Sequence, residues 1–303
     1  MKNAFTGAYA MGGGSNGRIV GEHQEGARAG MSMKVTSMRD AAAASIGLLL
    51  LAALPASATE KTYQSSPERR TTVERDWGPW LGPFRAKLVP VLMQDFGERY
   101  IYRDANAALP PPHVSEQRVV FIGDSITDRW NLASSFPGKA YVNRGIGSQV
   151  TSQMLLRFHQ DVIALQPTVA VILAGINDVQ GFLQQERPDQ IEANWEAMAD
   201  LADRHRIAIV FGALLPVNDY TKAARDVVKE RNPAELRALN AWLKAFCVQR
   251  GYAFADYHEA LVDRRGLMDA RYTNDGVHPL DNGYARMAPI AAAAIAKALR
   301  KTR

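Results

Sequence analysis

From Val119 onward, short apolar runs alternate with longer amphipathic stretches, and this alternation constrains the fold more than any other feature of the chain. Short apolar runs bounded by turn residues are typical of buried strands, and apolar residues at three- and four-residue spacing are typical of helices. A regular strand–helix order favours a mostly parallel sheet with helices on both faces, so we predict an α/β fold with about five strands. The predicted strands are Val119–Ile122, Ala140–Asn143, Val169–Ala174, Ile207–Ala213 and Tyr252–Asp256, and the predicted helices are Thr151–Leu165, Gln190–His205, Pro233–Arg250 and Asn282–Leu299.

The first predicted strand ends in the turn Gly123-Asp124-Ser125, and the residues after this turn can begin a helix. A serine at the carboxyl end of a strand lies where open α/β sheets bind their ligands. The helix N-terminus behind it favours negative charge. This position suits a nucleophile whose reaction generates an oxyanion. We expect Asp124 to hydrogen-bond backbone groups around the turn.

Three further polar blocks follow predicted strands or lie near the end of the chain. The second block is Asn143-Arg144-Gly145-Ile146-Gly147-Ser148, the third is Gly175-Ile176-Asn177-Asp178, and the fourth is Asp275-Gly276-Val277-His278-Pro279. Because the carboxyl ends of parallel strands meet at one edge of a sheet, we expect the four blocks to lie together. We expect Asp178 to cap the segment that follows it.

The four blocks contain the side chains that acyl transfer needs. A serine hydroxyl is a poor nucleophile until a base removes its proton, and His278 can be the base for Ser125. Asp275, in the same loop, can fix the tautomer of His278 and stabilise the imidazolium. The developing oxyanion needs hydrogen-bond donors, which the amide of Asn177 and backbone N–H groups near Ser125 and Ser148 can supply.

This ordered set of motifs resembles the SGNH, or GDSL, family of esterases and lipases, over about residues 118–295. The resemblance implies a flavodoxin-like three-layer α/β/α sandwich and carboxylic ester substrates. It also implies that Ser125 is the nucleophile, that Asp275 and His278 complete the catalytic triad, and that Asn177 belongs to the oxyanion hole. Each motif is short, but all four in this order are highly specific.

The second block departs from the family pattern. In the family it usually runs N-x-x-I-x-G, and the N–H of its glycine is an oxyanion donor. Counted from Asn143 and Ile146, that position is Ser148, and Gly147 comes just before it. A backbone N–H needs no particular side chain, so we predict that Ser148 is the donor, with Gly147 as the alternative. If the position requires a positive φ, a serine there is strained.

Residues 1–58 are predicted to be an N-terminal extension ending in a secretory signal peptide. A basic region precedes the apolar run Ala41–Leu54, and Ala56-Ser57-Ala58 matches a cleavage site. We predict cleavage after Ala58 and a secreted or periplasmic protein, with an uncleaved N-terminal anchor as the alternative. The apolar run of about 14 residues is short for a membrane span, so we expect no stable span in the mature chain. We hypothesise that translation of the protein starts at Met31 or Met33.

Residues 59–117 are predicted to form an N-terminal flap and a Pro-rich linker before an SGNH hydrolase domain, residues 118–303. Aromatic and leucine side chains recur at helical spacing between Trp77 and Phe96, but the prolines at 79, 83 and 90 are expected to break or kink a helix. Pro110-Pro111-Pro112 is expected to be a stiff linker. We predict that the flap packs on the main domain, with part of a substrate wall as the alternative.

Charge and motif content exclude several classes of protein. The net charge is +5, and residues 1–58 contain five Lys/Arg and three Asp/Glu. The other 245 residues therefore carry a net charge of only +3. Because they also contain no dense basic block, a nucleic-acid partner is not expected. The single cysteine, Cys247, excludes an internal disulfide and lies in an apolar helical pattern typical of a buried thiol. The histidines lack metal-ligand spacing, and neither a Walker-type loop nor G-x-G-x-x-G is present, so we predict no metal and no cofactor. The G-x-S-x-G motif of α/β-hydrolases is also missing.

We therefore predict a secreted serine esterase that acts on a small-molecule or carbohydrate ester. The expected rim segments, residues 178–189 and 214–232, carry many charges, which suits a small acyl group on a polar alcohol better than a long lipid chain. Acetyl esters of carbohydrates are the favoured substrates, and a lysophospholipase or arylesterase is the alternative. The alternative from another class is a non-catalytic ligand-binding module on the same fold. The charged rim residues are Glu186, Arg187, Asp219, Lys222, Arg225 and Asp226.

Overall fold

A computed structural model describes residues 78–183 and 186–301, which belong to one compact unit, Thr72–Arg303. The predicted signal peptide, its cleavage site and the beginning of the 59–117 segment lie outside the described residues. Five parallel strands form one sheet in the order β2-β1-β3-β4-β5, which is the flavodoxin-like order. The predicted fold class is therefore confirmed. The strands are β1 Val119–Gly123, β2 Tyr141–Gly145, β3 Val169–Leu173, β4 Ala208–Gly212 and β5 Ala253–Ala255.

The interior strands β1 and β3 are buried along their whole length. Strands that are covered on both faces consist of continuous apolar runs rather than alternating ones, as the sequence of both strands shows. All five predicted strands are present, and no strand end differs from its predicted position by more than two residues. β2 continues to Gly145 instead of ending at Asn143, because its pairing with β1 extends to Gly123 opposite Gly145.

Helices flank the sheet in two groups. α5 packs against α7 and α7 against α9, whereas α11 packs against β3, β4, β5 and the short helices α4 and α10. Short 3-10 turns occur at Ile163–Leu165 and Ala270–Tyr272. The helices are α1 Gly78–Gln94, α2 Arg103–Ala108, α3 Ser125–Asp128, α4 Leu132–Ser135, α5 Thr151–Asp161, α6 Ile176–Gln180, α7 Pro188–Arg204, α8 Val227–Glu230, α9 Pro233–Arg250, α10 Tyr257–Leu261 and α11 Asp281–Lys301.

The ends of α9 agree with the prediction because local signals determine both. The Asn232 side chain accepts a hydrogen bond from the Ala234 N–H, Pro233 occupies the first turn, and Gly251 ends the helix with φ 74°. The prediction for Thr151–Leu165 is wrong at its end. α5 stops at Asp161, and Val162, Ile163 and Leu165 turn their side chains into the core in a 3-10 turn instead.

Cys247 lies on α9 with 1% of its surface exposed, as predicted for a structural thiol. Burial raises the pKa of its thiol to about 12. The thiolate is the reactive form of cysteine, so this side chain is inert at neutral pH.

The described part of the 59–117 segment makes specific contacts with the sheet domain. Pro83 and Pro90 were expected to break or kink a helix, but α1 continues through both. The Phe84 ring packs 6.0 Å from the Phe182 ring, and α2, which the sequence did not predict, packs against α5. Past the three prolines, the Arg118 guanidinium donates back to the Pro110 carbonyl at 2.8 Å. The division at residue 118 stays a prediction.

Candidate active site

Ser125 lies two residues after the end of β1 and is the first residue of α3. The preceding residue, Asp124, is the N-cap of this helix, and its side chain accepts a hydrogen bond from the Ile126 N–H at 2.9 Å. Asp124 therefore bonds the backbone of the turn as predicted. Only 1% of its surface is exposed, and this burial raises the pKa of its carboxyl to about 7.

Gly123 and Gly145 allow the turn around Ser125 to pack closely. A Cβ on Gly123 would lie 2.1 Å from the Thr127 hydroxyl and 2.5 Å from the Leu173 carbonyl oxygen. A Cβ on Gly145 would lie 2.1 Å from the Asp128 backbone nitrogen. Any side chain at either position would push the turn that carries Ser125 away from the sheet.

Ser125, His278 and Asp275 form a continuous hydrogen-bonded chain. Ser125 Oγ lies 2.8 Å from His278 Nε2, and His278 Nδ1 lies 2.7 Å from Asp275 Oδ2. Although Ser125 and His278 are 153 positions apart, the fold brings them into direct contact. The spacing and order of the three groups are those of a serine hydrolase triad.

The Asp275 carboxylate is held in its ionised form. Its Oδ1 accepts hydrogen bonds from the backbone N–H groups of Val277 at 3.0 Å and His278 at 2.8 Å. Partial burial alone would raise the pKa of Asp275, but the hydrogen bonds from the His278 ring and from these N–H groups lower the pKa well below its usual range. The carboxylate can therefore stabilise an imidazolium at neutral pH.

A segment after β4 positions the loop that carries Asp275 and His278. The backbone N–H of Asn218 donates to the Gly276 carbonyl at 3.0 Å, and the Asn218 side chain donates to the Met268 carbonyl at 2.8 Å. Gly276 has φ 81°, and a Cβ there would lie 2.3 Å from the Asn218 carbonyl oxygen, so this position requires glycine. Sequence reasoning missed Asn218, because its contacts span about 50 residues and no local motif marks it.

Asn177 lies in α6, at the carboxyl end of the neighbouring strand β3. Its Nδ2 donates to the Gln149 carbonyl at 3.0 Å, which orients the amide and leaves its second N–H proton available. The helix begins after Gly175, whose φ of 127° strongly favours glycine. Asn177 is 94% buried, so its amide lies where water is largely excluded.

The second block lies beside Ser125. A Cβ on Gly147 would lie 3.8 Å from the Ser125 Cβ, which places this turn against the nucleophile. Ser148 has φ 70°, which is a left-handed conformation. The position therefore requires a positive φ, and the serine there is strained. Within the described residues, no hydrogen bond occupies the backbone N–H of Gly147 or Ser148.

A comparison with known protein families agrees with the arrangement of these four blocks. The profile of the GDSL-like lipase/acylhydrolase family matches residues 121–286, which extend from β1 into α11 and include all four blocks. The chain belongs to this family. It is a carboxylic ester hydrolase.

Solved structures of other acylhydrolases agree with this assignment. A proposed acylhydrolase from Bacteroides fragilis is 34% identical, with a TM-score of 0.63, over 69% of this chain and 99% of that chain. A GDSL-like lipase from Bacteroides thetaiotaomicron is also 34% identical, with a TM-score of 0.62, over 67% of this chain and 100% of that chain. A protein from Streptococcus pneumonia described as a platelet activating factor shares the fold at 23% identity and a TM-score of 0.61, over 71% and 99% of the two chains. No match was found among curated proteins.

Asp178 of the acylhydrolase does not cap the segment after it, which corrects the prediction. Its carboxylate accepts hydrogen bonds from the Thr151 backbone N–H at 3.0 Å and from the Thr151 hydroxyl at 2.6 Å, and so it caps α5. Val150, which precedes α5, has no side-chain oxygen with which to cap the helix, so the cap comes from the end of β3. Burial raises the pKa of Asp178 to about 6.

Asn143, the first residue of the second block, connects β2 to the turn and short helix that follow β1. Its amide donates to the Thr127 carbonyl at 2.6 Å and to the Trp130 carbonyl at 3.1 Å, and its oxygen accepts from the Gly145 N–H at 2.8 Å. Asn143 thus satisfies the carbonyls at the end of α3. The motif marked this residue, but only the structure shows what it contacts.

Two cavities differ in their relation to the triad. A shallow cleft of about 520 Å³ adjoins His278 and is lined by Arg129, Pro279, Leu280, Asp281, Asn282 and Tyr284. A second cavity of about 430 Å³ lies at the amino ends of β4 and β5, on the opposite edge of the sheet from the triad. Only the first cleft can therefore contribute to binding at the triad.

Residues 78–183 and 186–301 contain no group of three or more His, Cys, Asp or Glu side chains arranged to hold a metal ion. His159 and His205, at the ends of α5 and α7, are both exposed and pack edge to face with 6.4 Å between their ring centroids. In the same part of the chain, no helix is long and apolar enough to cross a membrane.

Proposed function

We propose that this acylhydrolase is a secreted serine esterase that uses Ser125, His278 and Asp275 as its catalytic triad. The observation that carries the proposal is the unbroken chain of hydrogen bonds from Ser125 Oγ through the His278 ring to Asp275, with contacts of 2.8 and 2.7 Å. A non-catalytic binding module has no need for a serine, a histidine and an ionised aspartate in this arrangement.

The proposed reaction begins when Ser125 Oγ attacks the carbonyl carbon of the ester. His278 takes the hydroxyl proton at Nε2, and Asp275 stabilises the resulting imidazolium. When the tetrahedral intermediate collapses, His278 gives this proton to the leaving alcohol oxygen, and the acyl group remains on Ser125. A water molecule, deprotonated by His278, then attacks the acyl-enzyme and releases the acid.

The proposed oxyanion hole uses donors from three strand ends. They are the backbone N–H of Ser125, the backbone N–H of Ser148 (with Gly147 as the alternative) and the free N–H of the Asn177 amide. The N–H of Ser125 is the first of α3 and has no acceptor within the helix. Such donors stabilise the intermediate because their dipoles are already oriented before charge develops.

We propose short acyl esters of a polar alcohol, with acetylated carbohydrates as the favoured class. Five of the six charged rim residues are exposed and can contact a hydroxyl-rich alcohol; the exception is Glu186, which is buried. The cleft beside His278 adds Arg129, Asp281 and Asn282 as hydrogen-bonding groups. A lysophospholipid would bring a long apolar chain to this polar rim.

Hydrolysis of p-nitrophenyl esters by the wild type and by Ser125→Ala tests the proposal. We expect the wild type to cleave the acetate and kcat for Ser125→Ala to fall by about 10⁴-fold or more, because no other group can form the acyl-enzyme. The matched control is Ser134→Ala, which alters an exposed serine on α4 and should retain full activity. A Ser125→Ala protein with wild-type activity would contradict the assigned nucleophile, and a folded wild type without activity would favour a binding module.

The same assay with esters from acetate to octanoate tests the substrate class. We expect kcat/KM to be highest for acetate and to fall as the chain lengthens, and we expect acetate release from acetylated polysaccharides. Higher kcat/KM for octanoate would favour the lysophospholipase alternative.

A further inference from the structure

Residues 96–106, which we call the arm, bring buried polar groups into contact with the loop that carries Ser148, next to the proposed oxyanion hole. Glu98 is 94% buried and has φ 51°, a left-handed conformation that is unfavourable for a glutamate. The Tyr102 hydroxyl donates to the Gly145 carbonyl, and the Arg144 guanidinium lies 4.7 Å from the centre of the Tyr102 ring. Strained backbone and buried polar groups persist only where the surrounding structure holds them in place.

Gln149 connects the arm to the hole. Its side chain is fully buried, and Nε2 donates to the Gly97 carbonyl at 3.2 Å and to the Glu98 carboxylate at 3.1 Å. Its Oε1 accepts from Arg157 Nε at 2.6 Å. Every hydrogen-bonding atom of this amide therefore has a partner, which leaves the side chain a single orientation.

The backbone of Gln149 contacts the hole itself. Its carbonyl accepts the hydrogen bond from Asn177 Nδ2 at 3.0 Å, and this bond determines where the second N–H of the Asn177 amide points. A shift of the Gln149 backbone would move this carbonyl and so displace the Asn177 donor.

Arg157, which is completely buried, supports Gln149 from the sheet side. Besides Gln149, it donates to the Arg144 carbonyl at 2.8 Å and to the Gly123 carbonyl at 3.1 Å, at the ends of β2 and β1. Asp161 neutralises its charge at 3.1 Å. The arm, α5 and two strand ends thus hold the Gln149 side chain from different directions.

We propose that Gln149 is a positioning residue of the oxyanion hole and that the arm, through Gly97 and Glu98, holds it in place. The arm then belongs to the active site rather than to a flap packed on the domain. The inference rests on the proposed role of Asn177 as an oxyanion donor. Because a donor misplaced by about 1 Å can lower the rate by about 100-fold, a small movement of Gln149 is enough to affect kcat.

A double-mutant cycle between Gln149→Leu and Asn177→Ala tests the proposal with p-nitrophenyl acetate. Gln149→Leu is expected to lower kcat by about 10- to 100-fold with KM changed by less than about twofold, because the Asn177 donor to the transition state is displaced. In the Asn177→Ala background, the same change should lower kcat by less than about threefold, since its main target is already absent. Equal losses in both backgrounds, or a wild-type kcat for Gln149→Leu, would overturn the proposal.

Substitutions on the arm test the same connection without altering the loop. Glu98→Gln retains an acceptor oxygen for Gln149 and should keep kcat within about twofold, whereas Glu98→Leu removes the acceptor and should lower kcat by about tenfold. The matched control is Gln160→Ala, which removes a hydrogen bond to the arm carbonyl of Arg99 but does not contact Gln149. If Gln149→Leu does not fold, this series decides, and equal activity of Glu98→Gln and Glu98→Leu contradicts the role of the arm.

Failure of this inference can be distinguished from failure of the proposed function. If Ser125→Ala abolishes activity while Gln149→Leu and Glu98→Leu do not lower kcat, the triad is correct and the positioning role is wrong. If Ser125→Ala retains activity, the assigned site is wrong, and both proposals fall together.

Discussion

Ser148 shows how a single residue can depart from a family motif and still fill the same position. Its φ of 70° is a conformation that the glycine of the family motif would adopt without strain. A left-handed conformation costs a non-glycine residue about 1–2 kcal/mol. The serine therefore lowers the stability of the turn but keeps the backbone N–H, which is the proposed oxyanion donor.

We predict that Ser148→Gly leaves kcat within about twofold of the wild type and does not lower the free energy of unfolding. Glycine usually destabilises a fold by about 0.5–1 kcal/mol through the entropy of the unfolded chain, but here the relief of strain offsets that loss. Ser148→Val should lower the free energy of unfolding by more than about 1 kcal/mol, because a β-branched residue is disfavoured at this φ. Urea unfolding and p-nitrophenyl acetate kinetics measure both effects, and a tenfold loss of kcat in Ser148→Gly would show that the hydroxyl itself contributes.

At the scale of elements, two buried carboxyls, those of Asp124 and Asp178, follow the ends of β1 and β3. Asp124 caps α3 and Asp178 caps α5, and burial raises the pKa of the first to about 7 and of the second to about 6. The negative charge of Asp178 also raises the pKa of Asp124. Capping two helices from interior strand ends thus requires carboxylates in places where the ionised form is disfavoured.

The pH dependence of stability follows from these shifts. The pKa of Asp178 is higher in the folded than in the unfolded state, so the folded protein binds more protons between about pH 4 and pH 6, and stability falls as the pH rises through this window. In Asp178→Asn this contribution is absent, while one acceptor oxygen remains to cap α5. We predict that the free energy of unfolding of the wild type, relative to that of Asp178→Asn, falls by up to about 3 kcal/mol from pH 4 to pH 7. Urea titrations at several pH values test this, and parallel curves for the two proteins would contradict it.

At the scale of the whole molecule, the family assignment covers the sheet domain, whereas the prediction of export depends on the N-terminal sequence. A basic region, an apolar run and Ala56-Ser57-Ala58 support secretion with cleavage after Ala58. We predict that the mature protein begins at Thr59 and is recovered outside the cytoplasm. N-terminal sequencing of the native protein tests this, and a mature chain that retains Ala41–Leu54 would favour the membrane-anchor alternative.

The sequence by itself determined the α/β fold, the strand-end location of the four motifs and the family. Strands such as Val119–Gly123 and the caps of α9 depend on neighbouring residues, so local patterns are enough to predict them. The same holds for Ser125, Asn177, Asp275 and His278, because each lies in a short motif and the ordered set of motifs is recognisable from the sequence.

Only the tertiary structure decided which residues support these motifs. Gln149 contacts the arm about 50 positions away, Asp178 caps a helix that precedes it by 27 positions, and Asn218 holds the loop at Gly276. Such contacts depend on how the elements pack, and a buried glutamine or asparagine has no periodicity or spacing that marks its partner. The physical reason is that hydrogen bonds between distant segments form only after the sheet has brought their ends together.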